Sequence, residues 1–473
     1  MVRLLIFLLS EVLVLAACGP KVSLKPALPQ LPEHFVQAPE ETLPRIPEAW
    51  WKTLGSAELA QLVEQALACN HELRKAATRV AELQARAQVT RSQRFPQASV
   101  ELTGERARPN FGGRFGGFSG GFIYGQWQGT LRASYEVDLF RRLAAAEKAS
   151  RLESLAAEED RQALALTLAA ETATAYVQAA FAYCELEVLQ EELSLSQKRL
   201  DFLRARFGKG LLSAPEWLTE KKRHLLLAAQ IPLLREELIE AKQRLEILTG
   251  RYPAGQLPLR ELPRLCRIKL PPPPAGLPSE LLRRRPDIRA AEVRLKAAAE
   301  RVRSARGNRF PHLVLTAEEG RVSPALKDLL LHRNRFWNLL SSLTQTIFDT
   351  GGRAAQETAA RLALKEALED YAQTVLTAFS EVEKALSAET RLRRNLAHQE
   401  EALEQLRQRV TFLAGRERVG ILSIPEYLEA RMALSEVRRE VLRQRRALLE
   451  NRIFLYRALA GGFGSPSKKG VRS

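Results

Sequence analysis

Metal and redox chemistry are poorly supplied in this chain, whose 473 residues include only 2 methionines, 4 cysteines and 6 histidines. Cys18, Cys69, Cys184 and Cys266 show neither CxxC nor metal-ligand spacing, and no histidine sits in an HExxH-like cluster. Phosphate loops and nucleophile elbows are missing as well, and Gly351-Gly352 does not complete a dinucleotide-binding pattern. These absences argue against an enzyme and against a resident metal or organic cofactor. Beyond the first 17 residues there is no run of 18 apolar residues, so a membrane crossing would have to be made by β-strands. The formal charge of +17 invites a nucleic-acid reading. Against it, basic residues alternate with glutamate, as in Arg235 to Lys242, and no aromatic-basic motif accompanies them. The charge reads as solvated helix surface, with an anionic partner or lipid head group as the alternative.

The N-terminus reads as an export signal. Arg3 precedes a mostly apolar run from Leu4 to Ala17, and Leu15-Ala16-Ala17-Cys18 has the small-residue pattern of a lipoprotein leader. Residues 1–17 are then a signal peptide, and Cys18 carries a diacylglycerol as the mature N-terminus. A buried N-terminal helix is the competing reading, and Glu11, inside the apolar run, leaves the efficiency of lipidation open.

The remainder is written twice. Leu73 to Pro96 matches Ile288 to Pro311, ending in Arg94-Phe95-Pro96 and Arg309-Phe310-Pro311. Asp138 and Arg142 align with Asp349 and Arg353. Gly210-Leu211-Leu212-Ser213-Ala214-Pro215-Glu216 aligns with Gly420-Ile421-Leu422-Ser423-Ile424-Pro425-Glu426. Three ordered matches at nearly one spacing indicate a duplication.

In each half a helix runs to the Phe-Pro, which stops it. Alternation then predicts strands over Ala98–Thr103 and Thr130–Val137, separated by the glycine-rich stretch Asn110 to Gly125. The corresponding candidates in the second half are His312–Thr316 and Phe336–Phe348. From Arg142 to Gly208, and again from Arg353 to Ala414, the chain runs free of proline and, up to the closing Gly208, of glycine, predicting helices on the order of 100 Å long. Gly210 and Gly420 end them, and Pro215 and Pro425 open the returning helices. Pro232 should kink the first return helix or mark a restart. The expected domain plan is a signal over 1–17, then an N-terminal segment and first repeat over 18–285. That repeat holds strands at about 97–138, a helical hairpin at about 142–250 and a Pro-rich connector at about 251–278. The second repeat covers 286–460, with strands at about 311–348 and a hairpin at about 353–460, before a tail over 461–473. Four strands cannot close a barrel, but three copies supply twelve. A soluble coiled-coil rod is the alternative.

These residues resemble the TolC-like outer-membrane efflux channels of the OprM/NodT lipoprotein type. The resemblance covers nearly the whole mature chain. It rests on Tyr135 to Phe140, Gln230-Ile231-Pro232, Leu245 to Gly250, Ile347 to Arg353 and above all Gly276-Leu277-Pro278-Ser279-Glu280-Leu281-Leu282-Arg283-Arg284-Arg285-Pro286-Asp287-Ile288. It implies an α+β membrane protein that forms, as a homotrimer, a 12-stranded β-barrel and a periplasmic α-helical barrel. It further implies docking on a periplasmic adaptor and an inner-membrane pump, and passive export of small toxic solutes or drugs. Gly210, Leu211, Leu212, Ser213, Gly420, Ile421, Leu422 and Ser423 resemble the family's adaptor-contacting tips, although helix capping alone would also explain the Gly and Ser. Relatives often carry aspartates at the second tip; this chain has none there, so Leu422 is the expected gate, with Glu426 as a secondary charge. A channel for metal ions or secreted proteins is the same-fold alternative, and a lipid-anchored surface rod is the more distant one.

Overall fold

The computed structural model describes residues 35–37, 49–108, 123–269, 271, 278–418 and 423–460. The signal peptide, Cys18, nearly all of the glycine-rich stretch, the centre of the connector, Gly420, Ile421, Leu422 and the tail lie outside the described residues. In chain order the elements are α1 (Ala57–Cys69), α2 (His71–Ser92), β1 (Gln97–Ala107), β2 (Tyr124–Val137), α3 (Arg142–Gly208) and α4 (Ala214–Leu248). After the short α5 (Leu262–Leu265) and α6 (Pro278–Arg284) come α7 (Pro286–Gly307), β3 (His312–Ser323), β4 (Arg335–Thr344), α8 (Gly352–Arg418) and α9 (Ile424–Ala458). The duplication is exact in length for the helices: α2 and α7 have 22 residues each, α3 and α8 have 67, and α4 and α9 have 35.

The chain divides into two compact units, and the long helices contribute to both. The first, built from residues 80–156 and 291–372, contains the strands. They form one antiparallel sheet in the order β1-β2-β3-β4. Its register places Ala98, Ala133, Ala317 and Leu339 in one row, and Ser99, Arg132, Glu318 and Asn338 in the next. Adjacent rows project to opposite faces, so one face is mainly apolar, with Glu319, Arg321 and Arg335 confined to its end far from the helices, and the other mainly polar. Gly104 is required by its neighbour: a Cβ there would meet the Trp127 ring at 2.7 Å. Beside the sheet, Leu295, Ala298 and Val302 of α7 pack on Leu364 of α8.

The aspartates shared by the repeats turn strand into helix. Asp138 accepts hydrogen bonds from the N–H groups of Leu143 (3.1 Å) and Ala144 (2.7 Å). Asp349 likewise accepts from Gly351 (3.1 Å) and Arg353 (3.0 Å). Each satisfies orphan donors at the start of a 67-residue helix. The arginines tie the helices back: Arg142 to Glu136 at 2.6 Å, and Arg353 to the Asn308 carbonyl at 3.0 Å.

Four expectations need correction. β3 continues to Ser323 instead of stopping at Thr316, because cross-strand partners accommodate its charges: Arg132 meets Glu318 and Arg335 meets Glu319, each at 2.6 Å. β2 likewise begins at Tyr124, not Thr130, pairing along all of β1. β4 ends at Thr344, four residues before Phe348, where the chain leaves the ladder towards the Asp349 cap; Ile347 and Phe348 are exposed. Pro232 does not restart its helix, since α4 is continuous across it. Leu227 and Ile231, just before it, are held in a cluster with Leu189, Leu195, Leu428 and Met432, and this packing outweighs the lost backbone bond.

The second unit, residues 28–79, 157–290 and 373–473, holds the larger core. Alanines of α3 (Ala169, Ala173, Ala180) let Trp50, Leu59 and Val63 approach closely, with Leu245 of α4 and Ile453 and Tyr456 of α9 completing the cluster. Trp50 stacks on Tyr456 at 5.2 Å. A disulfide joins Cys184 of α3 to Cys266 beyond α5, a pairing that the spacing did not disclose. Cys69 is the free cysteine among the described residues.

Candidate functional site: the hairpin tip and the sheet faces

The first tip is built from α3, a short turn and α4. Gly210 has φ +71°, a left-handed conformation that glycine adopts without strain. Its N–H donates to the Phe207 carbonyl at 2.9 Å, and that of Leu211 donates to the Arg206 carbonyl at 2.9 Å. This pair of bonds is the Schellman closure of a helix. The return is fixed by a capping box: Ser213 Oγ accepts from the Glu216 N–H at 3.4 Å, while Glu216 accepts from the Ser213 N–H at 3.0 Å. Hydrogen bonds from the Ser213 side chain and backbone hold the Glu216 carboxyl below its ordinary range.

Capping therefore accounts for Gly210 and Ser213, but it does not account for Leu211, which is 62% exposed. Leu212 is half-buried. Beneath the turn Phe207 stacks on Trp217 at 5.4 Å, and the Lys221 ammonium lies 5.1 Å from the Trp217 ring centre. Gly210→Ala is expected to destabilise the hairpin by about 1 kcal/mol, and nothing lies near enough to hinder the added Cβ. Thermal unfolding against the parent measures the difference, and an unchanged midpoint would show that the turn tolerates a left-handed alanine.

The second tip is described from Ser423 onward. Ser423 sits at the N-cap of α9 without a side-chain capping bond, and Glu426 is exposed in the first turn. Sequence reasoning missed Arg199 of α3. It is 3.0 Å from Glu220 of α4 and 2.9 Å from Glu429 of α9, and it donates to the Pro425 carbonyl at 3.3 Å. Its hydrogen bond keeps the Glu429 carboxyl below the ordinary range. One guanidinium thus joins both arms of the first hairpin to the root of the second. No local motif marks it, because its three partners are 21 to 230 residues away in the chain.

The same three helices carry a ladder of charge pairs that absorbs part of the basic excess. Arg431 and Arg438 of α9 each lie 2.9 Å from Glu191 of α3. Arg439 lies 3.0 Å from Glu192 and reaches Gln230 of α4 at 2.9 Å. Arg443 reaches Glu185 at 2.5 Å. Burial pushes the Glu192 carboxyl upward despite its arginine.

In the strand-bearing unit, the apolar face exposes Val100, Leu102, Leu131, Trp337, Leu339 and Leu343. The outer edges of β1 and β4 have no strand beside them among the described residues. Among those residues no helix is long and apolar enough to cross a membrane. A sheet with one apolar face and two open edges, continued by 67-residue helices, defines the class of outer-membrane channel proteins. The chain belongs to the outer membrane efflux protein family, whose pattern matches residues 62–251 and 277–461. It is 31% identical over 428 residues to the pyoverdine export outer membrane protein OpmQ of Pseudomonas putida, covering 89% of each chain. It is 28% identical over 416 residues to the cation efflux system protein CusC of Escherichia coli O6:H1, covering 88% of each. The solved structure of the outer-membrane channel OprN matches with a TM-score of 0.83 at 27% identity, over 94% of this chain and 99% of its own.

Proposed function

We propose that three copies of this chain form the passive outer-membrane exit duct of a tripartite efflux system. The observation that carries the reading is the sheet. Four strands leave unpaired backbone donors and acceptors along β1 and β4, and in lipid each unpaired group costs several kcal/mol. Pairing β1 of one copy with β4 of the next closes twelve strands and removes every edge. The apolar face of Val100, Leu131 and Leu339 then meets lipid and the polar face of Ser99, Arg132 and Glu318 lines the pore. The duct performs no chemistry; an inner-membrane pump supplies the energy. A periplasmic adaptor engages the tips at Gly210–Ser213 and Gly420–Ser423, with Leu211 as an exposed apolar contact. A lipid on Cys18 adds an anchor to the outer membrane, and no other group is required.

Small organic solutes are the proposed cargo, in keeping with a relative named for pyoverdine export. A relative named for cation efflux keeps metal ions as the alternative. Electron microscopy of the detergent-purified protein tests the assembly. A hollow threefold particle with a detergent belt at one end is expected; a monomer or a solid rod would overturn the reading.

The gate is proposed at Leu422, closing the pore by dewetting, with Glu426 a secondary charge. Leu422→Ser is expected to leak, sensitising cells to a large antibiotic that normally stays outside. A variant no leakier than the parent would remove Leu422 from that role.

A further inference from the structure

A cavity of about 500 Å³ lies within the strand-bearing unit, between the start of α3 and the end of α7. Its floor is aromatic: Phe140 and Phe310 stack at 4.6 Å with an interplanar angle of 18°. Its walls carry four cations, Arg141, Lys148, Arg303 and Arg306, against the single carboxylate of Glu300. Glu300 is already engaged by Lys148 and Arg303, each at 2.7 Å. No hydrogen bond or ion pair engages the guanidiniums of Arg141 and Arg306 among the described residues.

The duplication provides an internal control. With Asp138 and Arg142 aligned on Asp349 and Arg353, Phe140 and Arg141 fall on Gly351 and Gly352. At these two positions the second repeat has neither an aromatic ring nor a cation. The first holds Arg141 at φ +56°, a conformation glycine would adopt without strain. The turn itself therefore does not require an arginine, and Arg141 lines the cavity.

Its place in the fold narrows the occupant. α3 continues from the central strand β2, and α7 leads into the central strand β3. The cavity therefore lies away from β1 and β4, the edges that must pair with neighbouring copies, so a second copy of the chain is not its occupant. It sits at the helix-bearing end of the sheet, where the apolar face finishes at Val137 and Leu313.

We infer that this cavity binds a phosphate group, with Arg141 and Arg306 as its charge-assisted donors and Phe140 and Phe310 supporting the apolar part of the ligand. A phospholipid head group of the periplasmic leaflet and a free phosphate share this chemistry. The lipid source rests on the barrel reading above, which sets the helix-bearing end of the sheet at head-group depth; the pocket itself does not.

The test uses the purified assembly in neutral detergent with two probes, phosphatidylglycerol titrated by native mass spectrometry and radiolabelled inorganic phosphate in equilibrium dialysis. The double variant Arg141→Gly, Arg306→Gln removes both free cations and relieves the backbone at Arg141. Saturable phosphatidylglycerol binding, weakened about tenfold or more in the variant, supports a lipid head group. Saturable binding of inorganic phosphate with the same loss supports the site with a free anion in it. Binding of neither probe, or equal binding by parent and variant, overturns the inference. If the double variant does not assemble, Arg306→Gln alone, at the last turn of α7, is measured by the same two probes. An intact threefold particle that binds neither probe sinks the phosphate site alone and leaves the channel reading standing.

Discussion

Glu389→Ala is expected to destabilise the protein by about 3–5 kcal/mol, the cost of stranding a charge in the interior. Glu389 of α8 and Arg452 of α9 are both 0% exposed and directly paired. Glu389 also accepts from Arg393 at 3.0 Å and from Asn451 at 3.1 Å. Arg452 and Arg393 both reach the Pro271 carbonyl, at 3.0 and 2.7 Å. The cluster therefore clamps the connector between the repeats to the second hairpin. Removing the carboxylate takes from the buried Arg452 the acid it is paired with. Replacing both partners together, Glu389→Leu with Arg452→Met, is expected to cost much less, because no charge is stranded. Denaturant unfolding in detergent measures both variants. A single variant within 1 kcal/mol of the parent would mean that water or another acid reaches the arginine.

The second large effect is expected from Cys184→Ala. The disulfide to Cys266 spans 82 residues, and loop-closure entropy for that length gives a stabilisation of about 4.5 kcal/mol. Both sulfurs lie in the core of the second unit, Cys184 at 7% and Cys266 at 4% exposure. The bond holds the middle of α3 against the segment leading to the connector. Reductant is expected to lower the parent to the level of the variant and to leave the variant unchanged. If oxidised parent and variant unfold at one denaturant concentration, the bond carries no stability.

Repeat architecture, helix extents and the first tip turn were legible because their signals are local. Glycine and proline are absent across 142–207, an aspartate precedes each long helix, and Gly-x-x-Ser punctuates the return. What escaped depends on partners far away. Glu318 and Glu319 read as the end of a strand until Arg132 and Arg335 stand opposite them. Pro232 read as a breaker until the cluster around Leu227 and Ile231 overrode it. The Cys184–Cys266 bridge and the Arg199 junction join segments whose adjacency no spacing rule reports. Of the candidate site, the capping roles of Gly210 and Ser213 could be read from sequence; the company kept by Trp217, Arg199 and Glu429 could not.

The matched helix lengths also bear on how this protein can change. In α3 and α8 a single inserted residue turns every later side chain by about 100° and advances it by about 1.5 Å. Such an insertion in α3 alone would carry Glu185, Glu191 and Glu192 out of register with the arginines of α9. Indels in these helices should therefore be inherited as compensated sets, shared between the outgoing and returning arms and between the two halves. They should favour seven residues, which restore the original facing to within about 20°. The 67- and 35-residue helices act as a common gauge, and lineages that lengthen one should be found to have lengthened all four.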